Sequence, residues 1–249
     1  VTPLREGGSL PAIIEADDDG LYVLKFRGAG QGPRSLIAEL ISGEIARAIN
    51  LPVPEIVFVE LDVELARTEP DPEIQDLIRA SSGLNLALDY LPGAVMFNPV
   101  ADNIDKKLTS LIVWLDAFTA NVDRTIRNTN MLMWHRNLYL IDHGASLYFH
   151  HNWENFIERS NDSFPLIKNH VLLQSADFLK EVDNEISEKI TTDLIKSIVN
   201  NIPDIWIDWD SSVQKKAEIK NTYVDFLITR IKQPHQFLEE AIRAKSFYI

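Results

Sequence analysis

The sequence predicts an α+β protein in two lobes, with strands in the first third and helices in the remainder. Up to residue 91, short apolar runs alternate with turn residues, a pattern typical of β-strands. After the Pro-Gly step at residues 92–93, apolar residues recur every three or four positions, which indicates helices. We therefore expect a strand-rich N-lobe over residues 1–91 and a mostly helical C-lobe over residues 92–249, together forming one domain.

The N-lobe is expected to contain a sheet and one main helix. Asp17-Asp18-Asp19-Gly20 separates two β-prone runs and so predicts a hairpin. The main helix is predicted by a stripe of apolar residues and ends before Pro52 and Pro54. We interpret the glycine-rich residues 28–33, which precede it, as a mobile connector. The predicted elements are, in order, strands at 11–16 and 21–26, a helix at 36–49, a strand at 56–59, a short acidic helix at 70–80 and a strand at 84–91.

The C-lobe is expected to begin with a helix and then to be interrupted by a hairpin. The first helix carries Leu108, Leu111, Ile112 and Leu115 on one stripe. Thr191 or Thr192 is suited to cap a later helix, because a threonine hydroxyl accepts from the first free N–H groups. The predicted elements are a helix at 105–120, hairpin strands at 130–134 and 138–141, and helices near 191–202, 212–232 and 235–245.

The composition of the 249-residue chain excludes several classes of protein. Hydrophobic residues make up 45% and charged residues 24%, which excludes wholesale disorder. A net charge of −13 disfavours a broad nucleic-acid interface, because an acidic surface repels phosphates. A nucleotide can still bind at one local site that holds a metal ion. The longest apolar run, residues 108–118, is interrupted by Asp116 and is too short to span a membrane, so we expect no membrane partner.

Cysteine is absent, which excludes disulfides, thiolate metal sites and a cysteine nucleophile. The first residues, Val1-Thr2-Pro3-Leu4-Arg5, do not have the basic and then apolar pattern of a secretory signal. Both observations favour the cytoplasm as the location of the protein.

Three oxygen-bearing side chains are expected to converge beside the hairpin. Asp123 and Asn128 lie on the loop that follows the first C-lobe helix, and the hairpin then carries the chain out and back to Asp142. Asn and Asp oxygens suit Mg²⁺, which prefers few protein carboxylates together with phosphate oxygens. Asn130 is the alternative to Asn128 as a ligand. A remaining carboxylate can orient a hydroxyl nucleophile, so the spacing predicts a site for metal-assisted chemistry.

A lysine and a glutamate in the N-lobe extend this constellation. Lys25 ends a predicted strand and Glu39 lies early on the following helix. A strand lysine paired with a helix glutamate holds nucleotide phosphates in protein kinases. The order of residues and elements therefore matches a two-lobed protein-kinase-like fold. The residues concerned are, in chain order, Lys25, Glu39, Asp123, Asn128 and Asp142.

Several stretches resemble the motifs of one kinase family. Arg5-Glu6-Gly7-Gly8-Ser9-Leu10-Pro11 stands where that family has its phosphate-covering loop, and Leu21-Tyr22-Val23-Leu24-Lys25-Phe26 resembles its lysine strand. The helix with Glu39 runs into Leu51-Pro52-Val53-Pro54, like the family's helix and its exit. On these motifs, the chain resembles the HipA-like kinases, bacterial relatives of the serine/threonine protein kinases and the phosphoinositide kinases.

The resemblance extends to about Trp153 and includes the five-residue separation of Asp123 and Asn128. Asp142-His143-Gly144 stands where ordinary kinases have Asp-Phe-Gly. The chain departs from ordinary kinases at Val122-Asp123-Arg124, which replaces His-Arg-Asp and is closer to the lipid kinases. It also lacks a full G-x-G-x-x-G motif.

The resemblance implies ATP and Mg²⁺ as cofactors and assigns a role to each motif residue. Asp123 would orient the acceptor hydroxyl and take its proton. Lys25, held by Glu39, would neutralise phosphate charge, while Asn128 and Asp142 would hold the metal. The backbone of the phosphate-covering loop and the hinge beside adenine would bind the nucleotide. The nucleotide-binding residues so implied, besides Lys25, are Gly7, Gly8, Ser9, Leu88, Asp89, Tyr90 and Leu91.

The function implied by the resemblance is phosphoryl transfer from ATP to a Ser/Thr hydroxyl of a partner protein. Ser9 is a candidate for autophosphorylation, and a plain loop serine is the alternative. Two other functions stay open. One is a pseudokinase or nucleotide-sensing module that binds an antitoxin-like protein, and the other is a lipid or small-molecule kinase. His143, His150 and His151 also suggest a zinc site, although histidines near the metal-binding segment explain them equally well.

Overall fold

The computed structural model describes residues 2–3, 10–30, 32–207, 213–232 and 236–247. Its N-terminal part contains an antiparallel five-stranded sheet in the order β1-β2-β3-β5-β4. The elements of this part are β1 (Thr2–Pro3), β2 (Ala12–Glu15), β3 (Leu21–Lys25), α1 (Pro33–Ala48), β4 (Ile56–Leu61), α2 (Pro72–Ala80) and β5 (Gly83–Asp89).

The turn between β2 and β3 forms where the sequence predicts it. The Asp18 carboxylate accepts hydrogen bonds from the Gly20 N–H at 2.9 Å and from the Tyr22 hydroxyl at 2.7 Å. Asp19 takes a left-handed conformation with φ of 63°, which Asp tolerates better than most residues. These local contacts align β2 with β3 and place Lys25 at the end of its strand.

The C-terminal part is mostly helical and contains a second, three-stranded sheet in the order β6-β7-β8. The hairpin β7–β8 and the helices α3, α6, α7 and α8 lie where the sequence predicts them, whereas β6, α4 and α5 have no counterpart among the predicted elements. The elements of this part are β6 (Val95–Met96), α3 (Lys106–Thr119), β7 (Met131–Trp134), β8 (Asn137–Leu140), α4 (Phe156–Arg159), α5 (Leu179–Ile186), α6 (Thr192–Asn200), α7 (Val213–Lys232) and α8 (Gln236–Ser246).

The cap of α6 is Thr191, whose hydroxyl accepts from the Leu194 N–H at 3.2 Å.

Within the described residues, no helix has the length and apolar character needed to cross a membrane.

Two hydrophobic cores divide the molecule unequally. The smaller core lies between the first sheet and α2 and includes Leu24, Phe26 and Ile78. The larger core extends from α3 to α8 and also takes in the apolar face of α1 and Leu86 of β5. Helix α1 therefore packs into the main core with the C-terminal helices. The division into lobes at residues 91 and 92 stays a prediction.

A short 3-10 helix, Asp204–Ile207, connects the helical part to the first sheet. It contacts α1, and the indole N–H of its Trp206 donates to the carbonyl of Leu84 in β5 at 2.9 Å. The Trp206 ring also packs against Phe58 of β4 at 5.6 Å between centroids. The sheet is thus fastened to the C-terminal part on the side away from β1.

The glycine-rich connector before α1 is held in place at its start, whereas the sequence suggested a mobile segment. The Gly28 N–H donates to the Ser81 hydroxyl at 3.0 Å. A Cβ at Gly28 would lie 2.7 Å from the Cβ of Ala80, so only glycine allows this approach to the end of α2. The sequence could not reveal this packing, because it depends on a residue 52 positions away in the chain.

The buried guanidinium of Arg230, on α7, ties three segments together. It donates to the carbonyls of Ala117 and Phe118 near the end of α3, at 2.9 and 2.7 Å. It also donates to the carbonyls of Ser160 and Asp162, both at 2.9 Å. The last carbonyls of a helix have no partner within the helix, and a cation there complements the helix dipole. Arg230 therefore stabilises the end of α3, from which the Asp123 loop leaves.

The substitution Arg230→Met is expected to lower the free energy of unfolding by about 3 kcal/mol or more, because buried carbonyls then lose their donor. Urea unfolding measures this loss. Arg243→Met is the matched control, since Arg243 forms an exposed ion pair with Glu240 and such pairs contribute less than about 1 kcal/mol. Equal losses for the two variants would contradict this role of Arg230.

Candidate active site

Lys25 lies between two carboxylates that belong to distant parts of the chain. Its ammonium is 2.9 Å from Oε2 of Glu39, on α1, and 2.6 Å from Oδ1 of Asp142, in the loop after β8. Glu39 is fully buried and Lys25 is 9% exposed. The pair between the strand lysine and the helix glutamate that the sequence predicts is therefore formed. The structure adds Asp142 as a second partner of the same lysine.

The protonation states in this cluster follow from its charges. Burial by itself would lower the pKa of Lys25, but the carboxylates of Asp142 and Glu39 outweigh it and raise that pKa. Burial would likewise raise the pKa of Glu39, but Lys25 and a hydrogen bond from His143 lower it. His143 Nδ1 lies 3.4 Å from Oε1 of Glu39. Both shifts favour the charged forms, so Lys25 is an ammonium and Glu39 a carboxylate at neutral pH.

The Asp123 carboxylate is oriented by two asparagines. Its Oδ2 accepts hydrogen bonds from the side-chain amides of Asn128, at 2.7 Å, and Asn130, at 3.2 Å. The Asp123 N–H in turn donates to the side-chain oxygen of Asn121 at 3.1 Å. One carboxylate oxygen is thus engaged, while Oδ1 accepts no hydrogen bond from the residues that the structure describes. The five-residue spacing predicted the approach of Asp123 and Asn128, and Asn130 acts as a second donor to the same oxygen.

The hairpin β7–β8 brings the Asp123 loop and Asp142 to the same place. The Ile141 N–H donates to the Asn130 carbonyl at 3.1 Å, so the end of the hairpin lies beside its first residue. Arg124 donates to both carbonyls, those of Asn130 and Ile141. Asp142 follows directly in a left-handed conformation with φ of 57°, which directs its side chain toward Lys25.

A buried charge cluster supports the Asp123 loop and was not predicted. Asp116, on α3, accepts from Arg124 Nε at 2.6 Å, from the Asn121 amide at 3.0 Å and from His170 Nε2 at 2.9 Å. The Leu172 N–H donates to Nδ1 of His170, so Nε2 carries the proton given to Asp116. The sequence did contain a signal, because Asp116 is the one acid within an otherwise apolar stretch. An acid on the buried face of a helix needs a cationic partner.

Asn128 and Asp142 have donor atoms that fit Mg²⁺. The Asn128 amide N–H faces Asp123, which turns its side-chain oxygen away from that carboxylate. Asp142 gives one oxygen to Lys25, and its side chain is 42% exposed. Amide and carboxylate oxygens are the hard donors that this cation prefers. The residues therefore fit the metal, and their assignment as its ligands stays a prediction.

The predicted hinge, residues 88–91, continues β5. Two of its backbone N–H groups form hydrogen bonds with the neighbouring chain segments. The Asp89 N–H donates to the Glu55 carbonyl and the Tyr90 N–H to the Leu21 carbonyl, both at 2.9 Å. A nucleotide base at this end of β5 would have to use other backbone groups of residues 88–91. The role of these four residues stays a prediction. Gly7, Gly8 and Ser9 lie outside the described residues, although the strands on either side pair, with Thr2 opposite Ile13.

The three histidines that suggested zinc occupy different environments. His143 faces Glu39, whereas His150 Nδ1 lies 3.1 Å from the Tyr223 hydroxyl of α7. His151 contacts the His150 ring. In the described part of the chain, no group of three or more His, Asp or Glu side chains could hold a metal ion, so the structure does not support the zinc site. Burial lowers the pKa of His150 to about 3.

The protein has the kinase fold. An antiparallel sheet lies beside a helical part, and a lysine on a strand of that sheet pairs with a glutamate on a helix. The family model described as HipA-like kinase matches residues 1–240, so the chain belongs to the HipA-like kinase family. The predicted fold class and family are confirmed.

Among solved structures, the proinflammatory kinase CtkA of Helicobacter pylori is similar, with a TM-score of 0.59 and 14% sequence identity over 97% of this chain and 96% of that one. At this identity the likeness concerns the fold alone. No curated protein matches the sequence.

The substitution Asp116→Ala is expected to lower the free energy of unfolding by about 3–5 kcal/mol, because it leaves the Arg124 charge buried without its partner. Urea unfolding of Asp116→Ala, Arg124→Met and the double variant forms a mutant cycle. The double variant should lose less than the sum of the two single losses. Simple additivity would show that the two residues do not stabilise each other.

The free energy of unfolding is expected to fall as the pH drops below about 6.5. His150 then binds a proton in the unfolded chain but stays neutral in the folded chain. The pKa of His150 is lowered in the folded state, so the slope reaches up to about 1.4 kcal/mol per pH unit between the two pKa values. Urea unfolding at about pH 7 and about pH 5 measures it. His150→Gln should reduce the slope, and His135→Gln, in the exposed hairpin turn, should leave it unchanged. An identical slope in all three proteins would refute this role of His150.

Proposed function

We propose that this protein is an ATP- and Mg²⁺-dependent phosphotransferase that acts on a Ser/Thr hydroxyl of a partner protein. The observation that carries the proposal is the position of the Lys25 ammonium between the carboxylates of Glu39 and Asp142. In a kinase site, such a lysine neutralises nucleotide phosphates while the glutamate holds it in place. Family membership supports the same activity.

Each site residue has one task in the proposed reaction. Asp123 orients the acceptor hydroxyl with Oδ1 and takes its proton as the hydroxyl oxygen bonds to the γ-phosphorus of ATP. The bond from that phosphorus to the bridging oxygen breaks, and ADP leaves. Lys25 stabilises the phosphate charge throughout. Asn128 and Asp142 would hold Mg²⁺, which supplies positive charge to the phosphate oxygens when bound.

The finer parts of the proposal follow from the family resemblance. They are a protein Ser/Thr hydroxyl as acceptor, Ser9 as a site of autophosphorylation, an antitoxin-like protein as partner, and the cytoplasm as location. Residues 1–91 and 92–249 act as the two lobes around the nucleotide.

The substitution Asp123→Asn is expected to reduce phosphoryl transfer about 10²- to 10⁴-fold, the usual contribution of a general base. The assay measures transfer of label from γ-labelled ATP to protein, followed by identification of the phosphorylated amino acid. Asp225→Asn, an exposed residue of α7, is the matched control and should retain full activity. Undiminished transfer by Asp123→Asn would rule out the proposed base.

Thermal unfolding with and without Mg-ATP tests nucleotide binding separately. A ligand at about 100 times its dissociation constant adds about 2.7 kcal/mol to stability, and Lys25→Met should lose this effect. Stabilisation without transfer would indicate the nucleotide-sensing module, and phosphorylation of lipid headgroups alone would indicate the lipid kinase. The absence of any Mg-dependent stabilisation in the wild type would overturn nucleotide binding itself.

A further inference from the structure

A groove of about 500 Å³ lies beside the loop that carries Asp123. It is lined on one side by residues 125–127 and on the other by residues 168–171, 173 and 174. We propose that this groove binds the substrate segment that carries the acceptor hydroxyl and selects segments with acidic residues next to that hydroxyl. This inference rests on the proposed function and names the class of substrate that the site accepts.

The groove is joined directly to the proposed base. Thr125, in its wall, donates its N–H to the Asp123 carbonyl at 2.9 Å. Thr125 also forms a β-bridge with His170 on the opposite wall, and the Val171 N–H donates to the Arg124 carbonyl at 3.1 Å. The two walls are therefore fastened to the same loop. The walls meet where Thr125 and His170 pair, so a segment that lies along the groove at this junction is next to Asp123, where its hydroxyl has to be placed.

The charge of the groove is opposite to that of the molecule. The chain has a net charge of −13, yet none of the described residues that line the groove is acidic and two, Arg127 and Lys168, are basic. Arg127 is exposed and has no ion-pair partner among the residues that the structure describes. Because the acidic surface of the rest of the protein repels acidic segments, the exposed Arg127 gives this groove a cation that attracts such a segment near the site.

Three arginines lie close in sequence to the hairpin, and the structure separates their roles. Arg124 is buried with Asp116, and Arg136 lies in the exposed turn of the hairpin. Only Arg127 of the three lines the groove. A guanidinium there can form two parallel hydrogen bonds with one carboxylate, which gives direction as well as attraction.

Next to Arg127, the groove also offers an apolar contact. Ile126 is 73% exposed, although large apolar residues of a catalytic loop have no structural need to face water. Val171, which is half-buried, lies on the opposite wall. A bound segment therefore meets apolar side chains beside the cations, which fits an extended peptide better than a small anion.

The test measures peptide binding and nucleotide binding in the same preparations. The probes are three fluorescein-labelled peptides with a single serine flanked by glutamates, alanines or lysines, titrated by fluorescence polarisation. The wild-type protein should bind the glutamate peptide about fivefold or more tightly than the alanine peptide, and the lysine peptide least tightly. Arg127→Glu should abolish this order. Arg136→Glu makes the same charge change outside the groove and should preserve it.

The preference should weaken as salt is added, because exposed charges are screened. Equal binding of the three peptides, no binding of any of them, or loss of the preference in Arg136→Glu as well as Arg127→Glu would overturn the proposal. Thermal stabilisation by Mg-ATP, measured on each protein, should be unchanged by Arg127→Glu. If stabilisation by Mg-ATP is present while the peptide preference is absent, the proposed substrate class is wrong but nucleotide binding is supported. If it is absent in the wild type, the proposed function fails first.

Discussion

The ion cluster around Lys25 joins the two sheets and α1 at one point. Taking an ammonium and two carboxylates out of water is costly, and their attraction offsets this only when the geometry is good. The two contacts of Lys25, at 2.9 and 2.6 Å, meet this condition. A strand, a helix and the loop after the second hairpin must therefore keep their relative positions for the charges to stay paired. A nucleotide phosphate entering here would meet an ammonium whose position is already set.

The position of α1 does not depend on these charges alone. Its apolar face belongs to the larger core, together with the C-terminal helices, and the 3-10 helix with Trp206 fastens the first sheet from the same side. Moving α1 away from this core would expose Leu36, Ile37 and Leu40, which are almost fully buried, and burial of each such side chain contributes about 1.5–3 kcal/mol. The pairing of Glu39 with Lys25 is thus built into the main core.

The Asp123 loop depends on a second buried cluster. Asp116 binds Arg124, which in turn binds the carbonyls of Asn130 and Ile141 at the two ends of the hairpin. Through His170, the same carboxylate also reaches the wall of the groove beside Asp123. One buried acid therefore connects the loop of the proposed base, the loop that carries Asp142 and the surface where a substrate segment would lie. Arg230 also stabilises this arrangement, because it donates hydrogen bonds to the carbonyls at the end of α3.

The sequence by itself determined the order of most elements, the hairpins and the series from Lys25 to Asp142. These features depend on local spacing, such as the Asp18 turn and the apolar stripe of α3, which neighbouring residues decide. Only the tertiary structure decided that Asp142 contacts Lys25, 117 positions earlier, and that Asp116 contacts His170, 54 positions later. It also fastened Gly28 to the end of α2 and set Arg127 in a groove whose described lining residues include no acid. Such contacts form between segments whose approach is set by core packing, and no local pattern of residues encodes that approach.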